Sequence, residues 1–222
     1  MKFKDKKAEQ DYWNDFYSKS FIDVPSQFCV SITSDLPKKK TIVEFGSGTG
    51  RDSLYLASIG YVAVAMDLSV EAVEKCNNAM QKQGVEHAVF LCGDMSSSDD
   101  VKEVIDTARN YAHYDDSKLV VYSRFVMHAL DDQQEDLFLT ALTENMNQSE
   151  YLYLEFRSTE DMETEKYFGN DNHFRRYIDS DKFVSNLKTK YGFDVIYSIT
   201  GQGMARYKNE DPFVSRIIAV KA

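Results

Sequence analysis

The sequence is short of the residues that mark several large protein classes. Its three cysteines, Cys29, Cys76 and Cys92, stand far apart with no Cys-x-x-Cys pair, so neither a disulfide framework nor a zinc clamp is expected. The four histidines, His87, His113, His128 and His173, include no pair at the spacing of helical metal ligands, and no metal is expected. No apolar run approaches the roughly 20 residues that cross a bilayer. The charged start, MKFKDKKAEQDYW, has no signal-peptide core, so a cytoplasmic protein without a membrane partner is expected. Positive charge is scarce too. With 26 Lys plus Arg against 36 Asp plus Glu, the net charge is −10, which sets the chain against polyphosphate and anionic lipid. Nucleic acid is therefore a poor partner, and a small molecule the better one.

What is present is enough for a folded core: 222 residues, 43% hydrophobic and 13% aromatic, suit one domain over 1–222. From residue 41 onward, short β-branched runs alternate with amphipathic stretches, the pattern of a parallel sheet with helical crossovers. The runs predict strands over 41–45, 61–67, 87–92, 118–123 and 151–156, and helices over 51–59, 69–83, 98–113 and 131–148. Asp67-Leu-Ser69 and Asp131-Asp132 are helix-start signals, since short polar and acidic side chains satisfy the free amides of a first turn. Residues 157–179 lack a period and read as a substrate-side insertion. A helix over 181–190 then leads to strands over 193–199 and 213–221, joined as an antiparallel hairpin by a polar bridge. Before the first strand, residues 1–40 hold Tyr12, Trp13, Phe16, Tyr17, Phe21 and Phe28. They read as a helix packing its aromatic face on the core, as a lid over a ligand, or as both. The run Lys38-Lys-Lys40 reads as a solvated turn.

The chemistry gathers at strand ends. Glu44-Phe-Gly46-Ser-Gly48-Thr-Gly50 sits where the first strand turns into a helix, and glycines there let the backbone approach a ligand. A dinucleotide fingerprint would want glycine at 51, where this chain has Arg51. Asp67 ends the second strand, where a carboxylate can accept from both ribose hydroxyls, and Asp94 ends the third, where it can accept from an adenine amino group. Three successive strands ending this way point to a nucleoside bound across the carboxyl edge of the sheet.

At these residues the sequence resembles the class I S-adenosylmethionine-dependent methyltransferases. VEFGSGTGRDS (43–53), VAMDLS (64–69), CGDM (92–95) and VVYSRFVMHAL (120–130) look like their four motifs, in order. The resemblance implies a Rossmann-like α/β fold: a seven-stranded, mostly parallel sheet with helices on both faces, its last strand antiparallel, under an N-terminal helical lid. It also implies S-adenosylmethionine as cofactor and S-adenosylhomocysteine as product. The cofactor-binding set would be Tyr12, Trp13, Glu44, Gly46, Ser47, Gly48, Gly50, Arg51, Asp52, Asp67, Leu68, Gly93, Asp94, Met95 and Ser123. Within it Glu44 would orient the amino-acid end, Asp67 hold the ribose and Asp94 the adenine. A narrower resemblance, carried by DYWNDFY, Pro25-Ser26, Gly50-Arg-Asp-Ser53, Ser123-Arg-Phe125 with His128, His173-Phe-Arg-Arg176, Glu210-Asp-Pro212 and Arg216, is to small bacterial methyltransferases. These are associated with surface-polysaccharide or natural-product pathways and with sugar, phosphoryl or phosphonate acceptors.

The acceptor end carries less. After the fourth strand, Tyr122-Ser-Arg124-Phe replaces the Asn-Pro-Pro-Tyr of enzymes that methylate amide or adenine nitrogens. His128 is a candidate general base, or a histidine satisfied at a helix start. Arg124 would bind an anionic acceptor or pair with Glu155. Arg157, His173, Arg175, Arg176 and Tyr177 would form an anion trap or pair with Glu160, Asp161, Glu163 and Glu165, and Tyr207 and Arg216 are further candidates. The expected function is O-methylation of a small acceptor, anionic ones included, by a monomer or homodimer. The alternatives are a non-catalytic S-adenosylmethionine-binding or partner-binding module and, from the related sheet, a nicotinamide-dependent oxidoreductase, which would need the third glycine at 51 and a catalytic pair such as Tyr-x-x-x-Lys.

Overall fold

The structure is a computed structural model that describes residues 3–19, 22–36, 40–111, 118–164 and 175–222. Two helices come first, α1 (Lys6–Lys19) and α2 (Gln27–Ile32). Strands and helices then alternate through β1 (Thr41–Phe45), α3 (Arg51–Ser58), β2 (Val62–Asp67), α4 (Val70–Gln83), β3 (Ala88–Cys92) and α5 (Ser98–Tyr111). They continue with β4 (Leu119–Arg124), α6 (Asp132–Asn145), β5 (Tyr151–Arg157), α7 (Ser180–Thr189), β6 (Phe193–Gly201) and β7 (Val214–Lys221). The seven strands form one sheet in the order β3-β2-β1-β4-β5-β7-β6. Neighbours among β1 to β5 pair in parallel, while β7 is antiparallel to both β5 and β6. This is the Rossmann-like sheet expected, and every predicted strand falls within two residues of its place. The helix predicted over 131–148 stops earlier, at Asn145, because Ser149 takes a left-handed turn (φ 67°) and Glu150 accepts from the Asn147 amide. Residues 112 and 113 of the helix predicted over 98–113 lie outside the described ones.

The period of two along each strand assigns the two faces. Val43, Phe45, Val64, Met66, Val121, Leu152, Leu154 and Phe156 join one core with Val101 and Ile105 of α5, Phe138 of α6 and Phe183 of α7. The alternate residues Ile42, Val120, Tyr122 and Tyr153 pack on Phe28 and Ile32 of α2 and Leu56 of α3. Helices therefore cover both faces. The expectation that the amino-terminal aromatics pack into the core holds for α2 and fails for α1, whose buried residue is a glutamate, Glu9. Two further glutamates sit on the α2–α3 face of the sheet by the same alternation, Glu44 and Glu155, and both are buried. They are the first sign that this face was built around charge as well as packing.

Helix starts follow the local chemistry. Ser69 Oγ accepts from the Ala72 amide at 3.1 Å, and Asp131 forms a capping box with Gln134 at the head of α6. A buried carboxylate ties three elements together at the opposite end of the sheet from the glycine loop. Glu150 accepts both Arg109 Nη nitrogens (2.7 and 3.0 Å) and the amides of Leu119 (3.1 Å) and Asn147 (2.8 Å). Removing it strands a half-buried guanidinium and two backbone donors. Glu150→Ala is expected to lower unfolding free energy by about 3 kcal/mol in denaturant melts.

Candidate active site

The turn after β1 crosses the end of β2, because the amides of Gly46 and Ser47 both donate to Met66 O (2.8 and 3.1 Å). Glycine is required there by shape. Gly46 has φ 75°, and a Cβ on it would lie 2.2 Å from Val126 Cγ2. Gly48 has φ 53°, and a Cβ on it would meet the Tyr17 hydroxyl at 2.8 Å. The result is a bare backbone at the floor of a cleft of about 670 Å3, running along the carboxyl edge of the sheet.

Acids line the β1–β3 half of this cleft. Asp67 accepts from the Gly48 amide with Oδ2 (2.7 Å) and from the Ser69 amide with Oδ1 (2.9 Å), with the Leu68 amide a further donor beside it, and the rest of its accepting capacity is left for a ligand. Burial pushes its pKa up to about 6 despite those bonds. Glu44 is held by the Ser53 hydroxyl, and burial, reinforced by the charge of Asp52, moves it well above the usual carboxylate range. Asp52 in turn accepts from the Ser26 amide (2.6 Å), the Ser26 hydroxyl (2.7 Å) and the Tyr122 hydroxyl (2.8 Å). Since Ser26 also caps α2, this carboxylate fixes the Pro25-Ser26 turn against the sheet. Asp94 accepts from the Ser96 amide and hydroxyl through Oδ1 (2.8 and 2.6 Å) and from Lys6 Nζ through Oδ2 (2.6 Å). Burial raises that carboxyl, but Lys6 and Ser96 outweigh it and hold its pKa below the ordinary value.

The helix α1 lies across this half as a lid. Gln10 Nε2 donates to Leu68 O (2.9 Å), the Ser69 hydroxyl donates to Asn14 (2.7 Å), and Gln134 Nε2 donates to Glu9 (2.9 Å). Trp13, Phe16 and Tyr17 line the cleft, whereas Tyr12 packs on Trp13 and Phe3. Of the predicted cofactor set, Glu44, Gly46, Ser47, Gly48, Arg51, Asp52, Asp67, Leu68, Asp94, Met95 and Trp13 line the cleft. Gly50 begins α3 behind it, Gly93 passes beneath Met66, and Ser123 donates to Phe45 O at 2.9 Å.

Cations gather on the β4–β5–β7 half. Arg124, Glu155 and Arg216 stand side by side on three paired strands, and Glu155 accepts from Arg124 Nε and Arg216 Nε at 2.7 Å each. Arg124 reaches the cleft, while Arg216 turns to Met204 O (2.6 Å). Arg157 is buried between Asp161 and Glu210. Arg176 points away to Asp132, Glu135 and Met127 O, and Tyr177 is not on the cleft wall. Arg175 lines the cleft with its Nε buried and without a hydrogen-bond partner, as are those of Arg157 and Arg176; burial together with the charge of Arg157 lowers its pKa, and a hydrogen bond with Tyr177 and the charge of Glu210 offset this only in part. Arg206, Tyr207 and Lys208, from the bridge between β6 and β7, close the rim. His128 is buried at the cleft wall, and His173 lies outside the described residues.

Several site residues carried no signal in the sequence. Lys6 and Glu9 read as surface charges of an amphipathic helix, and Arg206 and Lys208 as loop cations; only the tertiary approach of those segments brings them to the cleft. Phe125 was legible only as part of a motif. Its left-handed backbone (φ 59°) sets its ring 3.9 Å under the Arg124 guanidinium and edge-on to His128.

Residues 42–148 match a family model described as a methyltransferase domain. No curated protein is recognisably similar in sequence. Solved structures share the whole fold. An S-adenosylmethionine-dependent methyltransferase from Anabaena variabilis superposes with a TM-score of 0.71 at 15% identity, covering 98% of this chain and 95% of its own. A glycopeptide N-methyltransferase complexed with S-adenosylmethionine gives 0.65 at 16%, covering 91% and 96%, and the cyclase SpnF gives 0.70 at 11%, covering 97% and 96%. The chain thus carries a methyltransferase domain over residues 42–148, within a fold shared with solved S-adenosylmethionine-dependent methyltransferases.

Asp67 gives the folded apoprotein a defined pH dependence. Its folded pKa, about 6, lies above the ordinary 3.8, so its contribution favours folding at low pH and is lost as pH rises through 6. Relative to Asp67→Asn, the wild type is expected to lose on the order of 2 kcal/mol between pH 4.5 and 7.5. Parallel thermal melts of the two proteins across that range check this; parallel curves would place the Asp67 pKa near its ordinary value.

Proposed function

We propose that this protein transfers a methyl group from S-adenosylmethionine to an oxygen of a small anionic acceptor, such as a sugar, phosphoryl or phosphonate compound of surface-polysaccharide or natural-product biosynthesis. When bound, the cofactor supplies an electrophilic methyl on a sulfonium. The residues of this chain fit that group. The glycine turn offers backbone that a Cβ would block, the Asp67 carboxylate faces the cleft with accepting capacity for ribose hydroxyls, and the acidic floor suits a ligand bearing cationic sulfonium and ammonium groups. Among the described residues no group of His, Cys, Asp and Glu could hold a metal ion, and the reading calls for none.

The observation that carries the acceptor reading is Arg175. It is a guanidinium facing the cleft with Nε unpartnered, pressed against a second cation, in a protein of net charge −10. An anionic group on the acceptor would supply the counter-charge it is short of. Arg206 and Lys208 extend the same positive rim. The relatives differ in chemistry, one being an N-methyltransferase and one a cyclase, so the acceptor atom is argued from this site and not from them.

Calorimetric titration tests the cofactor assignment. S-adenosylhomocysteine is expected to bind and NADH not to, and Asp67→Ala should weaken S-adenosylhomocysteine by roughly 10- to 100-fold through loss of charge-assisted hydrogen bonds. Unchanged affinity in that variant would remove Asp67 from the ribose. Arg175→Ala should leave S-adenosylhomocysteine affinity alone while weakening phenylphosphonate binding to the complex roughly tenfold or more; equal phenylphosphonate affinity would retire the anion reading.

A further inference from the structure

We infer that the acceptor carries two anionic groups on one small skeleton, as a diphosphate or a phosphorylated carboxylic acid does, and that Arg124 binds the second of them. The inference rests on the methyl-transfer reading above and narrows its acceptor: Arg175 by itself suits one anionic group, whereas this cleft offers two anion-binding points.

The point at Arg124 is held from two sides. Its Nε donates to Glu155 Oε1 at 2.7 Å, and its guanidinium carbon lies 3.9 Å from the centroid of the Phe125 ring. Phe125 reaches that place through a left-handed backbone (φ 59°), which is costly for a bulky side chain, and its amide donates to Glu155 O at 2.7 Å. Among the described residues nothing bonds to Nη1 or Nη2 of Arg124, and both open to the cleft that this residue lines. A guanidinium fork fixed in this way matches two oxygens of a phosphoryl or carboxylate group and has little rotamer freedom left to lose.

Glu155 positions that charge without cancelling it. The same carboxylate accepts from Arg216 Nε at 2.7 Å, so two guanidiniums share one acid. Arg216 spends its Nη nitrogens on Met204 O (2.6 Å) and Ser31 Oγ (3.4 Å), which leaves the surplus at Arg124. Burial opposes the charge on Arg124, but Glu155 and Asp52 outweigh it and keep its pKa above the ordinary value.

Arg175 supplies the other point. Along the wall, contacts run from Arg124 to Phe125, then to Arg157, whose guanidinium carbon is 5.3 Å from the same ring, and then to Arg175. Arg157 is matched by Asp161 and Glu210. In that order a matched cation separates two that are short of counter-charge. Arg206, one residue before the bridge between Tyr207 and Glu210, has no ion pair among the described residues and adds to the outer point at the rim. One anionic group at either point leaves the other uncompensated, and two groups joined by a short skeleton match both.

The test is calorimetry on the full chain saturated with S-adenosylhomocysteine. Phenylphosphonate is the probe with one anionic group, and inorganic pyrophosphate and propane-1,3-diphosphonate are the probes with two. At least one of the latter should bind roughly tenfold tighter than phenylphosphonate. Arg124→Lys, which keeps the charge and loses the fork, should weaken that probe roughly tenfold and phenylphosphonate, held by Arg175, less than about threefold. Phe125→Leu, with Arg124 in place, should show the same selective loss, and Phe125→Tyr, which keeps the ring, should restore it. A residue that merely supports the fold would weaken both kinds of probe together. Probes with two groups that bind no tighter than phenylphosphonate, or an Arg124→Lys loss shared equally by all probes, overturn the second anionic group. A loss confined to S-adenosylhomocysteine overturns it as well, by giving Arg124 to the donor. S-adenosylhomocysteine is titrated first. If the wild type does not bind it, the methyltransferase reading falls, while the two points are still read with the same probes on the protein alone.

Discussion

The cleft depends on the reversal of strand order between β1 and β4. From β1 the chain moves outward through β2 and β3, and it returns to lay β4 on the other side of β1. The turns leaving the two central strands therefore diverge, and a crevice opens between them at the carboxyl edge. Gly46 is where the two turns come closest, against Val126, and a side chain there would force them apart. The groups at the ends of β1 to β5 fall on one side of this line or the other.

That geometry separates charge. Strands β1 to β3 deliver Glu44, Asp67 and Asp94, with Asp52 behind them; β4, β5, the segment before α7 and the bridge from β6 to β7 deliver Arg124, Arg157, Arg175, Arg206 and Lys208. A positively charged donor and a negatively charged acceptor would each find the opposite sign in its own half and meet at the middle. Most of the arginines are not free for this. Glu155 binds two of them across three adjacent strands, and Asp161 with Glu210 binds a third, so that burying them does not leave bare charge. Arg175 is the arginine here whose pKa falls, because Tyr177 and Glu210 offset its burial and the neighbouring Arg157 charge only in part.

The lid is tied down by polar contacts rather than by a core. Lys6, Gln10 and Asn14 each bond to the loops after β2 and β3, and Glu9 reaches Gln134 on α6. Its aromatic residues are half-buried over the cleft and can exchange protein contacts for ligand contacts with little change in apolar area exposed. A helix held this way can open at lower cost than α2, which is locked by Phe28 and Ile32 in the core and by Asp52 at its cap.

Much of this was legible in the linear chain, for reasons that are local. Alternation with period two placed the strands, and glycine spacing with acids at strand ends marked the ligand edge; both patterns are carried by a few consecutive residues. The helix caps at Ser69 and Asp131 are legible for the same reason. Partnership between distant charges was not. Whether Arg157, Arg175 or Arg176 faces a ligand depends on whether Glu210, Glu135 and Asp132, remote in sequence, arrive beside it, and a run of arginines reads the same in either case. His128 makes the point at a single atom: its place after β4 is written in its motif, but the donor to its Nδ1 is an amide 29 residues away that the parallel pairing of β4 with β5 brings to its ring.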